Sequence, residues 1–316
     1  MDALTLADIQ LAAERLRGVA HVTPVLTGRK LDEAAAARVF LKCENFQRVG
    51  AFKFRGAYHA ILTLDPSYKG RPVVTISSGN HAQGVALACR LLGRHAHVVM
   101  TGAVNPVKRQ AVQSYQATIH EAPDHDQAER DLPEMLHRLG AVFVHPFNDL
   151  GVIAGQGTTM LEFLETVPDL DVVLAPIGGG GLLSGTCIAG HGLNPSLAFY
   201  ACEPVGALDA LQSVRDNRIV PMRNPQTMAE GLRTSLGDLT LPILRRHLAG
   251  FFTVEEAEIL RAMRFAFERM KIVIEPSSAV ALAPVLRQEP ALRGKRIGVI
   301  LTGGNTDLSN LFAGLR

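Results

Sequence analysis

Lys53 lies in the run Gly50-Ala51-Phe52-Lys53-Phe54-Arg55-Gly56-Ala57, framed by aromatics and glycines. Among apolar neighbours an ammonium loses hydration, its pKa falls, and the neutral amine can attack a carbonyl such as an aldehyde. The same pattern suits a surface lysine whose stem covers apolar neighbours, so the chemistry rests on its combination with three other segments. Gly178-Gly179-Gly180-Gly181 follows an apolar run and precedes Leu182-Leu183-Ser184-Gly185. Four consecutive glycines cost backbone entropy, and their N–H groups at a helix N-terminus suit an anion such as a phosphate. No Gly-Lys-Ser/Thr comes after them, which excludes a nucleoside triphosphate loop. Gly179, Gly181 and Ser184, with Glu203 closing the next strand, keep a dinucleotide site open. Ser77-Ser78-Gly79-Asn80-His81 offers hydroxyls, a carboxamide and helix-start N–H groups, which suit either an amino acid's carboxylate or a plain serine N-cap. Thr302 presents a neutral hydroxyl where an aromatic ring nitrogen could sit, or caps a helix.

The elements that must position these groups follow an α/β rhythm. Residues 7 to 18 carry Ile9, Ala12, Ala13 and Leu16 at helical spacing. Apolar runs at Val39 to Cys43, Val73 to Ile76, Ala96 to Met100, Val142 to Val144, Val172 to Ala175, Leu197 to Cys202 and Ile297 to Leu301 alternate with helical segments, predicting largely parallel strands. Three of these strands end in turns expected to open a helix, at Ser77 to His81, Gly178 to Gly181 and Thr302 to Asn305. In open α/β sheets ligands gather outside the carboxyl ends of strands, so the three turns can face one cleft. Residues 221 to 250, with Pro221, Pro225 and Pro242, read as irregular connections.

Composition narrows the class. With 316 residues, 47% hydrophobic and 20% charged, the chain can bury a large core, expected in two domains. Thirty-two basic against 30 acidic residues, without a long basic run, leave no electrostatic footprint for nucleic acid or anionic lipid, so a small-molecule partner is expected. Cys43, Cys89, Cys187 and Cys202 form no CxxC pair and read as buried free thiols. The N-terminus lacks a basic region followed by an apolar core, and no stretch of about 18 apolar residues occurs. A cytoplasmic protein without a membrane segment is expected.

Taken together, these segments resemble the fold-type II pyridoxal phosphate enzymes, specifically the serine/threonine dehydratase family with its serine racemase and threo-3-hydroxyaspartate ammonia-lyase branch. The stretches that carry the resemblance run end to end: Glu44-Asn45-Phe46-Gln47 with GAFKFRGA, SSGNHAQG at 77 to 84, AGQGT at 154 to 158, GGGGLLSG at 178 to 185, MKIVIEP at 270 to 276 and LTGGN at 301 to 305. The resemblance implies a two-domain, tryptophan synthase beta-like α/β fold in which each domain is an open, mostly parallel sheet flanked by helices. Residues 1–71 and 150–316 would form the large domain and 72–149 a small mobile one that closes over substrate. It further implies that Lys53 bonds covalently to pyridoxal 5'-phosphate, that Phe52 packs beside the ring, and that Asn80 bonds its phenolic oxygen. Gly178, Gly179, Gly180, Gly181 and Leu182 would hold the phosphate, Thr302 would meet the pyridine nitrogen, and Ser77, Ser78 and His81 would line the substrate carboxylate. A hydroxyl at the ring nitrogen leaves that nitrogen neutral and the electron sink weak, which favours loss of a β-leaving group.

The implied activity is elimination from a β-hydroxy amino acid (serine, threonine or threo-3-hydroxyaspartate) to a 2-keto acid and ammonia, with Lys53 removing the α-proton. In the racemase branch the serine matching Ser78 is the acid/base on the opposite cofactor face, so racemisation by Lys53 and Ser78 is the alternative. A nicotinamide-dependent oxidoreductase is a more distant one. By spacing alone Glu203 to Asp209 reads as solvated loop charge, although oxygen-only ligands suit magnesium or calcium. The racemase branch holds its divalent cation (Mg, Ca or Mn) at the positions matching Glu203, the Ala207 carbonyl and Asp209. Gly28 and Arg29 stand where a nucleotide-binding serine pair occurs in mammalian-type racemases, so ATP activation is not expected. Phe147 replaces an asparagine beside the cofactor, with Asn148 adjacent to compensate. Arg233 and Thr234 lie in a segment that could reach the substrate. The resemblance implies a homodimer without the regulatory domain of biosynthetic threonine deaminases.

Overall fold

The computed structural model describes residues 4–102 and 106–307. Its ten strands are β1 Val25–Leu26, β2 Arg38–Cys43, β3 Val73–Ile76, β4 Ala96–Thr101, β5 Thr118–Ala122, β6 Val142–Phe143, β7 Val172–Pro176, β8 Ala198–Pro204, β9 Gly250–Val254 and β10 Arg296–Leu301. They form a six-stranded sheet in the order β1-β2-β10-β7-β8-β9 and a four-stranded sheet in the order β5-β4-β3-β6. Only β1 runs antiparallel to its neighbour; the other pairings are parallel.

Parallel strands covered on both faces must be apolar at every position, and β7 shows why its run is unbroken. Val173 and Ala175 enter the core shared with the helices Leu150–Thr166 and Gly181–Leu193. Val172 and Leu174 enter the opposite core, under the helices Glu256–Phe265 and Pro276–Leu286. The small sheet repeats this arrangement, with Val74, Ile76 and Val99 facing the helix His125–Leu139 and Val73 facing the helices Lys53–Leu62 and Asn80–Leu91. All four strands of the small sheet lie between residues 73 and 143. Its core also takes Leu16, Phe54, Ala57 and Ile61, so a boundary at residue 72 divides the strands but not the cores.

The AGQGT stretch is a packing device. A Cβ on Gly155 would stand 2.7 Å from the Arg55 carbonyl oxygen and the Gly56 Cα, and one on Gly185 would stand 2.3 Å from the Ile153 carbonyl oxygen. Backbone-to-backbone approach at these points docks the helix carrying Lys53 and the helix opened by the glycine run onto the same central helix.

Three strands were not anticipated. β5 is mostly part-exposed and polar, and β1 is two residues long. β9 begins at Gly250, the last residue of the stretch read as irregular. Within that stretch lies the helix Thr240–His247; Pro242 falls in its first turn, where a missing N–H costs nothing. Residues 302–307 contain no helix, and the helix expected after the Thr302 turn falls outside the described residues. The four cysteines are buried free thiols, with burial pushing Cys43 and Cys89 up to about 12. No helix among the described residues is long and apolar enough to cross a membrane.

Candidate active site

The carboxyl ends of β2, β3, β7 and β10 deliver four turns to one cleft. Phe52, Lys53, Ser77, Ser78, Asn80, His81, the run Gly178–Leu182 and Thr302 all line it. The Lys53 turn is zipped to the end of β10: Phe52 N–H donates to the Thr302 carbonyl at 3.0 Å, Gly304 N–H donates to the Gly50 carbonyl at 3.0 Å, and Ala51 bridges Gly303.

Lys53 is the first residue of its helix. Its Nζ donates to the Pro146 carbonyl at 2.8 Å and stands 5.3 Å from the Phe52 ring centroid. Burial lowers its pKa to about 8, opposed only by the Glu275 carboxylate. The amine opens onto the cleft rather than bulk water. Two residues on, Arg55 fixes the helix start. It is 1% exposed, grips Glu44 through two N–H···O bonds of 2.8 Å and bonds Glu162 at 2.6 and 2.7 Å. Lys42 shares Glu162 at 2.6 Å, so two cations and two carboxylates cancel. Burial alone would lower the Arg55 pKa, but Glu44 and Glu162 hold it above its ordinary value.

Across the cleft, Asn80 opens the helix Asn80–Leu91. Its Nδ2 donates to both Glu275 oxygens, at 2.8 and 3.0 Å. Its Oδ1 accepts from Asn305 Nδ2 at 2.9 Å, and that amide also donates to the Val49 carbonyl at 2.7 Å. Glu275 is 6% exposed; burial raises it to about 7 against the Asn80 hydrogen bond and the charge of Lys108. Glu275 and Asn305 belong to the family motifs but were not singled out from the sequence. The Ser78 hydroxyl donates to the Thr101 carbonyl at 3.2 Å and accepts the Thr101 N–H at 2.9 Å. Ser77 Oγ accepts from Gly79 N–H at 3.3 Å. His81 is 2% exposed, and neither ring nitrogen finds a well-formed partner among the described residues. Burial, then Lys53 and His145, hold its pKa well down, with the Val144 carbonyl acting weakly the other way. It is a neutral imidazole beside the amine.

The glycine run forms the turn that opens the helix Gly181–Leu193. Gly180 takes φ +87°, a conformation that favours glycine. The first turn of the helix closes with Ser184 N–H on the Gly180 carbonyl at 2.9 Å, and the N–H groups of Gly178 to Leu183 donate to nothing among the described residues. A Cβ on Gly179 would fall 2.2 Å from the Phe147 ring, so Phe147 is the wall against which the cradle is built. Asn148 is committed elsewhere, its amide donating to Asp238 at 2.6 Å and its oxygen accepting Leu239 N–H at 3.0 Å. Thr302 is 3% exposed, and its hydroxyl is unpaired among the described residues. An amine that titrates near neutrality, a nest of free N–H groups, a free hydroxyl and an aromatic wall fit pyridoxal phosphate. Arg233 is exposed and held by the Thr227 carbonyl.

Glu203, Ala207 and Asp209 lie outside this cleft. Glu203 is 1% exposed; its two oxygens accept Ala210 N–H at 2.8 Å and Leu211 N–H at 3.0 Å, capping the helix Asp209–Asp216. That commitment removes it from any ribose, so the dinucleotide reading fails here. Asp209 Oδ2 is buried with no partner among the described residues. Burial raises Glu203 to about 8 and Asp209 to about 7. Among the described residues no three His, Cys, Asp or Glu side chains cluster as a metal site.

Comparison with known proteins agrees with the geometry. The family model described as "Pyridoxal-phosphate dependent enzyme" matches residues 16–303. Serine racemase of Dictyostelium discoideum is 42% identical, covering 98% of this chain and 98% of its own. The beta-hydroxyaspartate dehydratase of Paracoccus denitrificans is 42% identical, over 97% of this chain and 98% of its own. The solved T.th. threonine deaminase superposes with a TM-score of 0.91 at 39% identity, over 96% of this chain and 99% of that one.

Proposed function

The chain belongs to the pyridoxal-phosphate dependent enzyme family, and from that premise we propose that it removes water from a β-hydroxy amino acid and releases a 2-keto acid and ammonia. The observation that carries this reading is the Lys53 amine, lowered to about 8, facing the same cleft as the unpaired N–H groups of Gly178 to Leu183 and the unpaired Thr302 hydroxyl.

Bound pyridoxal phosphate supplies an aldehyde that captures amines and a conjugated ring that accepts the electron pair of a broken Cα–H bond. Lys53 would hold it covalently, Gly178 to Leu182 would take the phosphate, Thr302 would donate to the ring nitrogen, and Phe52 would lie against the ring. One Asn80 N–H can reach the phenolic oxygen while the other stays on Glu275, whose carboxylate fixes the amide plane. Ser77 and the helix-start N–H groups beyond Gly79 would receive the substrate's α-carboxylate, with neutral His81 adding no charge. Freed from its covalent bond when the substrate amine replaces it, the Lys53 Nζ would take the α-proton. A hydroxyl such as that of Thr302, unlike a carboxylate, would leave the ring nitrogen neutral, which favours loss of the β-hydroxyl as water, with a proton supplied near the cofactor phosphate, over reprotonation.

Racemisation is the second reading, favoured by Ser78 lining the same cleft. For Ser78 to hand over a proton it must leave the Thr101 carbonyl, a step elimination does not need. Residues 72–149 would move as the closing domain; the Asn80–Glu275 and Asn305–Asn80 bonds join that segment to the rest across the cleft. A divalent cation at Glu203, the Ala207 carbonyl and Asp209 would satisfy the orphaned Asp209 oxygen, in a structural role remote from the amine. Cytoplasmic location and a homodimer complete the reading; the four free thiols and the exposed Phe46 and Phe267 support them. The test is keto acid and ammonia release from serine, threonine and threo-3-hydroxyaspartate, scored beside D-serine formation. Ser78→Ala is expected to abolish D-serine and retain keto acid; loss of both together, or no keto acid from any of the three substrates, overturns the reading.

A further inference from the structure

Lys108, on the helix Pro106–Ser114, reaches across the same cleft to Glu230 in the 3-10 turn Glu230–Leu232. The two ends of this ion pair are unequal. The Lys108 side chain is only 14% exposed, while that of Glu230 is 55% exposed. Among the described residues Glu230 is the one hydrogen-bonded partner of the ammonium. A largely desolvated cation needs an anion beside it, whereas an exposed carboxylate can turn back to water at little cost. The pair is therefore built for exchange: another carboxylate arriving in the cleft can take the ammonium and leave no buried charge unpaired.

Such a carboxylate would enter the cleft that Lys108, Lys53 and Asn80 all line. The Lys108 charge acts on Glu275 more strongly than the Lys53 charge does, and Glu275 holds Asn80 at 2.8 Å. The other arginines along the cleft, Arg233, Arg261 and Arg264, are all exposed rather than desolvated. Arg233 is exposed and tied to the Thr227 carbonyl, and Arg264 is paired with Glu268 at 2.7 Å.

We infer that Lys108 is the specificity residue for a carboxylate on the substrate's side chain, and that Glu230 occupies its ammonium until such a substrate displaces it. The inference rests on the dehydratase reading and deepens it: the preferred substrate class is a dicarboxylic β-hydroxy amino acid, for which threo-3-hydroxyaspartate is the probe, over neutral serine.

The experiment compares kcat/KM for threo-3-hydroxyaspartate and for L-serine, by keto acid release, in the holoenzyme and in the Lys108→Met and Glu230→Gln variants. Lys108→Met is expected to lower the hydroxyaspartate-to-serine ratio by about tenfold to a hundredfold, the span of one charge-assisted hydrogen bond, mostly through KM. Glu230→Gln removes the competitor and is expected to raise the same ratio by lowering the hydroxyaspartate KM. A strut that merely ties two parts of the chain together would break in both variants and move both substrates in one direction. Equal losses for the two substrates, or a ratio that falls in Glu230→Gln, overturn the inference while keto acid release from serine keeps the dehydratase reading standing. Absence of keto acid from hydroxyaspartate, serine and threonine in the unaltered enzyme refutes that reading and the inference with it.

Discussion

Replacing Glu275 tests how the reactive amine is tuned. Burial lowers the Lys53 pKa to about 8, and the Glu275 carboxylate is the one charge that opposes the shift. At pH 7 an amine with that value is neutral in about one molecule in ten, against about one in 2500 for a lysine at the ordinary 10.4. The cofactor-free protein, mixed with pyridoxal phosphate and followed by absorbance, should therefore capture it at a rate that rises with pH and levels off just above 8. N-acetyl-lysine, measured alongside, corrects for ionisations of the cofactor and should keep accelerating beyond pH 10. Because Glu275 itself titrates at about 7, the acid limb belongs to the pair rather than to either group. Glu275→Gln removes the carboxylate that favours the ammonium, so the plateau should begin at lower pH and the acid limb should simplify to one ionisation. A rate that climbs past pH 9.5 in the parent protein, or a plateau that moves upward in Glu275→Gln, would refute this account of the amine.

Other consequences concern the frame and the second carboxylate site. Arg55→Met leaves Glu44, which is fully buried, without its partner and should cost about 3–5 kcal/mol in urea unfolding; adding Glu44→Gln should recover much of it. Gly179→Ala forces a Cβ to within 2.2 Å of the Phe147 ring. It should weaken pyridoxal phosphate binding by about tenfold or more, the size of an overpacking penalty, with Phe147→Ala restoring part of the loss. Glu203 and Asp209 titrate higher in the fold, at about 8 and about 7, than their ordinary 4.5 and 3.8. The folded chain therefore binds more protons than the unfolded one between these values, and chelated protein should lose stability as pH rises from about 4 to 8. Added calcium or magnesium should restore thermal stability at pH 8 but not at pH 5, and Asp209→Asn should remove that response.

Local physics accounts for the features that could be seen in the sequence. β7 and β10 are buried on both faces, so their apolar runs were unbroken, and the glycine run and the Lys53 segment announced themselves by composition. β5 escaped because its residues are mostly part-exposed and the adjacent polar pair His120 and Glu121 breaks any two-residue alternation. The helix Thr240–His247 escaped because Pro242 read as a breaker although it sits in the first turn. Glu275 was hidden for a different reason: its partner Asn80 is 195 positions away, and no local pattern marks a carboxylate whose role is to hold an amide. Likewise, AGQGT matched a motif without revealing its purpose, which is close backbone approach at Gly155. The commitment of Asn148 to Asp238 and Leu239 could be read only from the fold.

The central claim is that one amine, Lys53, carries the cofactor. Borohydride reduction of the reconstituted protein, followed by digestion and mass spectrometry, should place a reduced pyridoxal phosphate adduct on Lys53 in the parent chain and none in Lys53→Ala. An adduct on a different lysine, or an unmodified Lys53 in protein that still releases keto acid, would contradict the account.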